Sequence, residues 1–260
     1  MHRLDAPGSI ARRHHEDMTR SPSPGTEAPL LCELHAHTTW SDGSLELEQV
    51  VDLYGRRGFD VLSITDHVVR GDDMLTAGRY PAYLAAIREE ARRAEALYGM
   101  LVIPGLELTY DDPADSTRSA HAVAVGLERF VSLDRGIGAA MEEARGAGAA
   151  LIAAHPHGAV PDTIPGRTTR QFWRDTELRS LAHRFELINR HRVFAWVASS
   201  GLPAVANGDF HVPEHVDTWK TLLPCARTRE AVVGFLRSEA PAALTRVEPE
   251  GFAADLRETA

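Results

Sequence analysis

The chain has 260 residues, 43% of them hydrophobic, a net charge of −9 and two cysteines. That is enough apolar material for one sizeable core, too few thiols for a disulfide framework or a thiolate zinc site, and the wrong sign for a general nucleic-acid surface. No apolar run approaches the roughly 20 residues that span a bilayer, and the first residues lack a hydrophobic signal core, so a cytoplasmic location is expected.

Residues 1–29 carry breaker signals such as Ser21-Pro22-Ser23-Pro24-Gly25 without apolar periodicity, and read as a disordered extension. From Leu30 the pattern becomes regular. Leu30–His37 reads as a first strand, and Ser41-Asp42-Gly43 turns into a helix over Leu45–Arg57 that Gly58 stops. Phe59–Ile64 is a second strand, followed by a helix over Tyr83–Tyr98 ending at Gly99. Met100–Ile103 is a third strand and Ala120–Val125 a fourth, with its histidine at the start rather than the end. A helix over Ile137–Arg145 leads to a fifth strand, Ala149–Ala154. Phe185–Ile188, a helix over Arg190–Ser199 and Pro203–Ala206 bring the strands to seven. Asp217–Pro224 is expected to close the structure against the first strand, and residues 248–260 form a polar tail. Alternating strands and helices predict a parallel sheet with helices outside. The expected fold class is α/β: a single barrel domain over residues 30–247 whose chemistry sits at the C-terminal face of its strands.

Nine metal-type ligands lie at or just beyond these strands: His35, His37, Asp42, His67, Glu107, His121, His155, Asp209 and His211. Zn, Mn and Fe accept mixed nitrogen and oxygen ligands of this kind, so two or three divalent ions are the expected cofactors. Single positions have bland alternatives. A lone His-x-His is equally two histidines on one strand face, and Asp42 is also placed to cap the following helix. Asp66, beside His67, suits a partner that orients an imidazole. His157 makes a second His-x-His with His155 and is a candidate catalytic residue, with a plain loop histidine as the rival reading.

Five segments resemble the PHP (polymerase and histidinol phosphatase) family of metal-dependent phosphoesterases. They are Glu33-Leu34-His35-Ala36-His37-Thr38 with Ser41-Asp42-Gly43, Leu62-Ser63-Ile64-Thr65-Asp66-His67, Pro104-Gly105-Leu106-Glu107, Ala154-His155-Pro156 and Gly208-Asp209-Phe210-His211. The resemblance spans about residues 30–212. It implies a distorted (β/α)7 barrel, with His35, His37, Glu107 and Asp209 on a first metal. Glu107 would bridge to a second completed by His121 and His155, and Asp42, His67 and His211 would hold a third.

Ions a few ångströms apart acidify a shared water and neutralise phosphoryl oxygens. The expected activity is therefore hydrolysis of a small phosphomonoester, a nucleotide among the candidates, by a metal-bridged hydroxide, with Glu107, Asp209 and His157 as catalytic groups. Arg70, Arg167, Arg170 and Arg190 are candidates for clamping the phosphate, and Trp40 for walling the pocket. The runner-up is a nuclease or phosphodiesterase acting on short oligonucleotide ends. Hydrolysis of a carbon ester or amide and a non-catalytic metal-loaded interaction module are further alternatives, because a barrel and its ligands do not fix the bond that is broken.

Overall fold

Short β-branched and aliphatic runs suit strands buried on both faces, and in the computed structural model they become one curled sheet. The structure describes residues 28–71, 75–112, 114–115, 118–156 and 169–249. The strands are β1 (Leu30–Ala36), β2 (Val61–Ile64), β3 (His67–Val69), β4 (Leu101–Tyr110), β5 (Ala120–Val125), β6 (Ala150–Ala153), β7 (Arg184–Asn189), β8 (Arg192–Val193), β9 (Ala204–Asn207), β10 (Trp219–Leu223) and β11 (Ala243–Arg246). The helices are α1 (Leu47–Arg56), α2 (Tyr80–Tyr98), α3 (Ile137–Gly146), α4 (Gln171–Arg174), α5 (Thr176–Leu181), α6 (Ala195–Ser199) and α7 (Arg229–Arg237).

Seven of these strands form the wall, in the order β1-β2-β4-β5-β6-β7-β9, and they are the seven expected from the sequence. The ring closes just past β9, where Phe210 bridges Ala36. There the His37 N–H donates to the Phe210 carbonyl at 2.9 Å, and the Phe210 N–H donates to the His35 carbonyl at 3.0 Å. β10 runs antiparallel to β1, as the Asp217–Pro224 segment suggested, and its Thr221 hydroxyl accepts from the Ala206 N–H of β9. The distorted (β/α)7 barrel is thus observed.

Several expectations need correction. The wall is not all parallel, because β5 runs antiparallel to both β4 and β6. Among the described residues no α-helix separates β4 from β5, and a reversed strand places its beginning at the face where parallel neighbours end. His121 at the start of its strand is therefore level with ligands at the ends of others. The third strand does not stop at Ile103 but continues to Tyr110, so Glu107 lies within it. Pro104, which has no N–H to give, sits where pairing with β2 ends and pairing with β5 begins at Gly105. The helix expected from Arg190 begins only at Ala195, because Arg190 is left-handed (φ 54°) and the chain folds back on β7 as β8. The helix expected from Tyr83 begins at Tyr80, with Pro81 in its first turn.

The apolar residues form two layers. One lies between the strands and the outer helices and includes Val50, Tyr54, Ile64, Ile87, Leu106 and Met141. The other fills the barrel interior with Leu34, Val61, Ile103, Val123, Ile152 and Val205, and is closed below by Val232 and Leu236 of α7. Alternation then sets what stands above this plug. Ile103 and Glu107 share a face of β4, Val123 and His121 share a face of β5, and Val205 and Asp209 keep the same parity along β9 and beyond. In β1 a register irregularity between Glu33 and Ala36 shifts the parity, so that His35 and His37 join the site above Leu34.

A fully buried ion pair fastens this closure. The Lys220 amine lies 2.7 Å from the Glu33 carboxylate, both side chains with no exposure. Glu33 also accepts from the Tyr54 hydroxyl at 3.1 Å and from the Gly208 N–H at 3.0 Å. A Cβ at Gly208 would overlap both partners of the pair, which explains glycine there. Lys220→Met should lower the unfolding free energy by about 3 kcal/mol, since it strands a buried carboxylate. The double variant Glu33→Gln/Lys220→Met should lose less, and urea denaturation at unchanged m-value reads both.

Candidate metal centre

Glu107 is the centre of the site. Its side chain has no exposure, and its two oxygens face different groups of imidazoles. Oε2 lies 3.2 Å from His35 Nε2, 3.3 Å from His37 Nε2 and 2.9 Å from His67 Nδ1. Oε1 lies 3.1 Å from His121 Nδ1 and 3.4 Å from His155 Nε2. Asp209 Oδ1 is 3.5 Å from both His35 Nε2 and His37 Nε2. Asp42 is 3.5 Å from His67 Nε2 and 3.3 Å from His211 Nε2.

The geometry gathers three groups able to hold a cation: His35, His37 and Glu107; Glu107, His121 and His155; and His37, Asp42, His67 and His211. Eight of the nine residues singled out in the sequence fall in these groups, and Asp209 joins them through His35 and His37, so all nine meet at one mouth. The grouping differs from the expected division in two respects: Asp209 is in none of the three groups, and His37 is in two. His37 presents Nε2 to Glu107 and Asp209 and Nδ1 to Asp42, at 3.9 Å, and so faces two groups.

The donor chemistry suits resident divalent ions. His35 Nε2, both nitrogens of His37, His155 Nδ1 and Glu107 Oε2 are buried without a hydrogen-bond partner, a condition that buried polar atoms rarely tolerate. Burial alone would raise the Glu107 carboxyl; the imidazoles of His67 and His35, with hydrogen bonds to His121 and His155, hold it well below its usual range. Asp209 is lowered for the same reason, burial being outweighed by His35, His37, His211 and Arg190. His121 is pushed the other way, to about 9: burial lowers it, but its contacts with Asp111 and Glu107 prevail. The His37 imidazole is lowered by burial and by the neighbouring His67.

Supporting groups fix these ligands. Glu186 of β7 is fully buried; its Oε1 lies 2.9 Å from His35 Nδ1 and its Oε2 accepts the His155 N–H at 2.7 Å. Asn189 and Asn207 amides donate to the same carboxylate at 2.8 and 2.9 Å. In the sequence Glu186 reads as one more residue of a strand; its only signal there is a charged side chain within an apolar run. Asp66 orients no imidazole. It accepts from the Thr38 N–H and from the hydroxyls of Thr38 and Ser41, holding the turn that carries Asp42. In that turn a Cβ on Gly43 would strike the His37 carbonyl. Thr109 Oγ1 lies 2.6 Å from His67 Nδ1.

The candidate substrate residues divide. Arg190 lines the open cavity of about 560 Å³ over the cluster, together with His191 and Arg192 of the same turn. Its guanidinium donates to the Asp209 carbonyl at 2.9 Å and carboxylate at 3.0 Å, so it positions a ligand. Trp40 does not wall the cavity; its ring packs edge-on to Tyr83 beneath the Arg79 guanidinium. Arg70, exposed past β3, and Arg170, at the start of α4, are not among the lining residues. His157 and Arg167 lie outside the described residues. Three non-glycine residues with left-handed backbone, His155 (φ 30°), Arg190 (φ 54°) and Asp209 (φ 45°), all stand at this mouth.

No family profile matches the chain. Among curated proteins it is 27% identical over 212 residues to the DNA polymerase/3'-5' exonuclease PolX of Bacillus subtilis, covering 75% of this chain and 36% of that one. It is 34% identical over 96 residues to a phosphoribosyl 1,2-cyclic phosphate 1,2-diphosphodiesterase of Eggerthella lenta, covering 37% and 30%. The matched parts are thus about a third of each relative's length. Among solved structures it resembles a two-domain protein of Bacteroides vulgatus containing a predicted PHP-like metal-dependent phosphoesterase, with a TM-score of 0.62, 20% identity and coverage of 92% and 70%. It also resembles PsfC of Pseudomonas syringae, with a TM-score of 0.55, 16% identity and coverage of 85% and 93%. The resemblance to the PHP family read from the motifs is borne out.

Removing the charge that orients the His35 imidazole and holds the His155 backbone, as in Glu186→Gln, should weaken divalent-metal binding by about tenfold to a hundredfold, measurable by calorimetric titration of Mn or Zn. A metal at His121 must displace the proton that this group carries below about pH 9. Metal affinity should therefore rise with pH up to that value, with measurable proton release on binding.

Proposed function

We propose that this PHP-family chain is a metal-dependent phosphoesterase whose substrate presents a terminal phosphate, a small phosphomonoester such as a nucleotide. The observation that carries the reading is Glu107: one buried carboxylate with each oxygen turned to a separate set of imidazoles, the arrangement that holds two ions at bridging distance. We assign His35, His37, Glu107 and Asp209 to one ion, Glu107, His121 and His155 to another, and Asp42, His67 and His211 to a third, with His37 facing both the first and third groups.

When bound, such ions lower the pKa of a held water and neutralise phosphoryl oxygens. The chain's own residues do the rest. Glu107 and Asp209 supply the negative charge that keeps the ions together. Arg190, tied to Asp209, prevents that carboxylate from swinging away. The Ser41–Gly43 turn, held by Asp66, sets Asp42 at the rim. The cavity is open enough for a mononucleotide, and Arg190, His191 and Arg192 give one side of it a positive edge toward which the rest of a phosphorylated substrate can extend. No helix among the described residues is long and apolar enough to cross a membrane.

A second reading, hydrolysis of a short phosphodiester, is favoured by the curated relatives, one an exonuclease and the other a cyclic-phosphate phosphodiesterase. Against it, acidic Asp42 and Asp111 line the cavity, and among the described residues no aromatic and basic strip for a strand accompanies them. The two readings separate in one assay. Metal content is measured on protein purified without chelator, and turnover is compared on nucleoside monophosphates, a cyclic phosphate and short oligonucleotides. Two or three ions per chain and preference for monoesters support the first reading. His37→Ala and Asp209→Asn should each lower kcat/KM by at least about a hundredfold, the loss of several kcal/mol of charge stabilisation. Bound metal without turnover of any phosphoester would overturn both readings.

A further inference from the structure

The end of the barrel opposite the metal cluster carries a second cavity, of about 430 Å³, lined by Arg145 of α3, Arg179, Thr176 and Ser180 of α5, His183 before β7 and Arg237 at the end of α7. The chain is acidic, and several of its arginines stand against carboxylates, among them Arg93 with Asp52 and Glu90, Arg229 with Glu128 and Arg227 with Glu95. Arg145, Arg179 and Arg237 do not. Among the described residues they make no ion pair and donate only to backbone carbonyls: Arg145 to Ser180 and Leu181, Arg179 to Trp173, and Arg237 to Gly148 at 3.5 Å. Such bonds are ordinary helix-end contacts, yet each engages a single nitrogen of a guanidinium with five N–H donors. Arg179 Nε is buried with no partner at all, while the guanidinium rests over the Trp196 ring. Glu239 also lines the cavity but is exposed and forms no ion pair with them.

His183 adds a neutral donor. Its Nδ1 accepts the Leu151 N–H at 2.9 Å, so its proton sits on Nε2. The ring is pushed down to about 4, first by burial and then by Arg145, Arg237 and Arg184. Three uncompensated guanidiniums, a neutral imidazole and two hydroxyls match the charge and acceptor geometry of a tetrahedral dianion.

We propose that this cavity is a non-catalytic binding site for a phosphate dianion, either inorganic phosphate or the phosphate of a small monoester. It is separate from the metal centre and independent of what that centre hydrolyses. The test is equilibrium dialysis of labelled inorganic phosphate against the metal-loaded chain at fixed ionic strength, for the wild type, Arg237→Glu and Arg145→Gln. Arg237 is exposed and makes one long hydrogen bond, so its substitution should leave the melting temperature and the phosphoester turnover unchanged. The wild type should bind one more phosphate per chain than Arg237→Glu, in which this site weakens at least about tenfold; Arg145→Gln should weaken it in the same direction. Competition with a non-hydrolysable phosphonate analogue of adenosine 5'-monophosphate separates the sources: stronger displacement by the analogue than by unlabelled phosphate identifies an esterified phosphate, equal or weaker displacement the free ion. Unchanged stoichiometry and affinity in both folded variants, or displacement by chloride at the same ionic strength, would overturn the proposal. A chain with no phosphoesterase activity would still give this reading, so the two failures are distinguishable.

Discussion

A carboxylate with no solvent exposure and five histidines within 3.4 Å is the constraint around which this molecule is arranged. In a low-dielectric interior such a group is stable only if its charge is answered at short range. The five imidazoles around Glu107 come from three strand ends, those of β1, β2 and β6, and from the start of the reversed strand β5. No local segment can satisfy it; only the closed ring does. Barrel closure and ligand assembly are therefore one event: the backbone hydrogen bonds that join Phe210 to His35 and His37 also set Asp209 and His211 beside them.

Below the site the interior is apolar, and the change from plug to ligands is made by parity along each strand. Where parity fails, the chain bends locally. β1 has a register irregularity just before its two histidines, and Asp209 and His155 take left-handed backbone just beyond β9 and β6. Such conformations cost of order 1–3 kcal/mol each in isolation. Each is held from outside by a charged group. Glu186 grips the His155 N–H, and Arg190 grips the Asp209 carbonyl. The supporting charges thus set backbone as well as side chains.

How much of this was legible in the sequence follows from what each signal reports. The ligands stood out because imidazoles and carboxylates ending apolar runs conflict with burial unless something holds them, and all seven wall strands were visible as such runs. Reversal of β5 was written only in His121 standing at a strand start, a clue that means little until the missing helix between β4 and β5 is noticed. Glu186 was invisible because one acidic residue in Phe185-Glu186-Leu187-Ile188 fits the outward half of an alternating strand as well as the inward half. Arg190 looked like the start of a helix because periodicity cannot reveal a positive φ at a non-glycine residue. Trp40 misled in a simpler way: adjacency in sequence to a ligand does not fix the direction of a side chain, and the apolar surface of Tyr83 was the better neighbour.

The same argument explains why the two ends of the barrel differ so sharply. At the mouth, excess negative charge and unpartnered nitrogens converge on points where a cation fits. At the base, Arg145, Arg179 and Arg237 line a hollow in which the exposed Glu239 also stands but forms no ion pair with them. Arg184 shows what a purely structural arginine looks like in this fold: fully buried, it donates to the carbonyls of Phe235, Leu236, Ser238 and Ala240 and so closes the C-terminal end of α7. The three arginines that line the cavity spend one nitrogen each on such contacts. Arg184 meets four backbone carbonyls, whereas the other three meet one or two each, and the donors those three have left carry the sign that a phosphate requires.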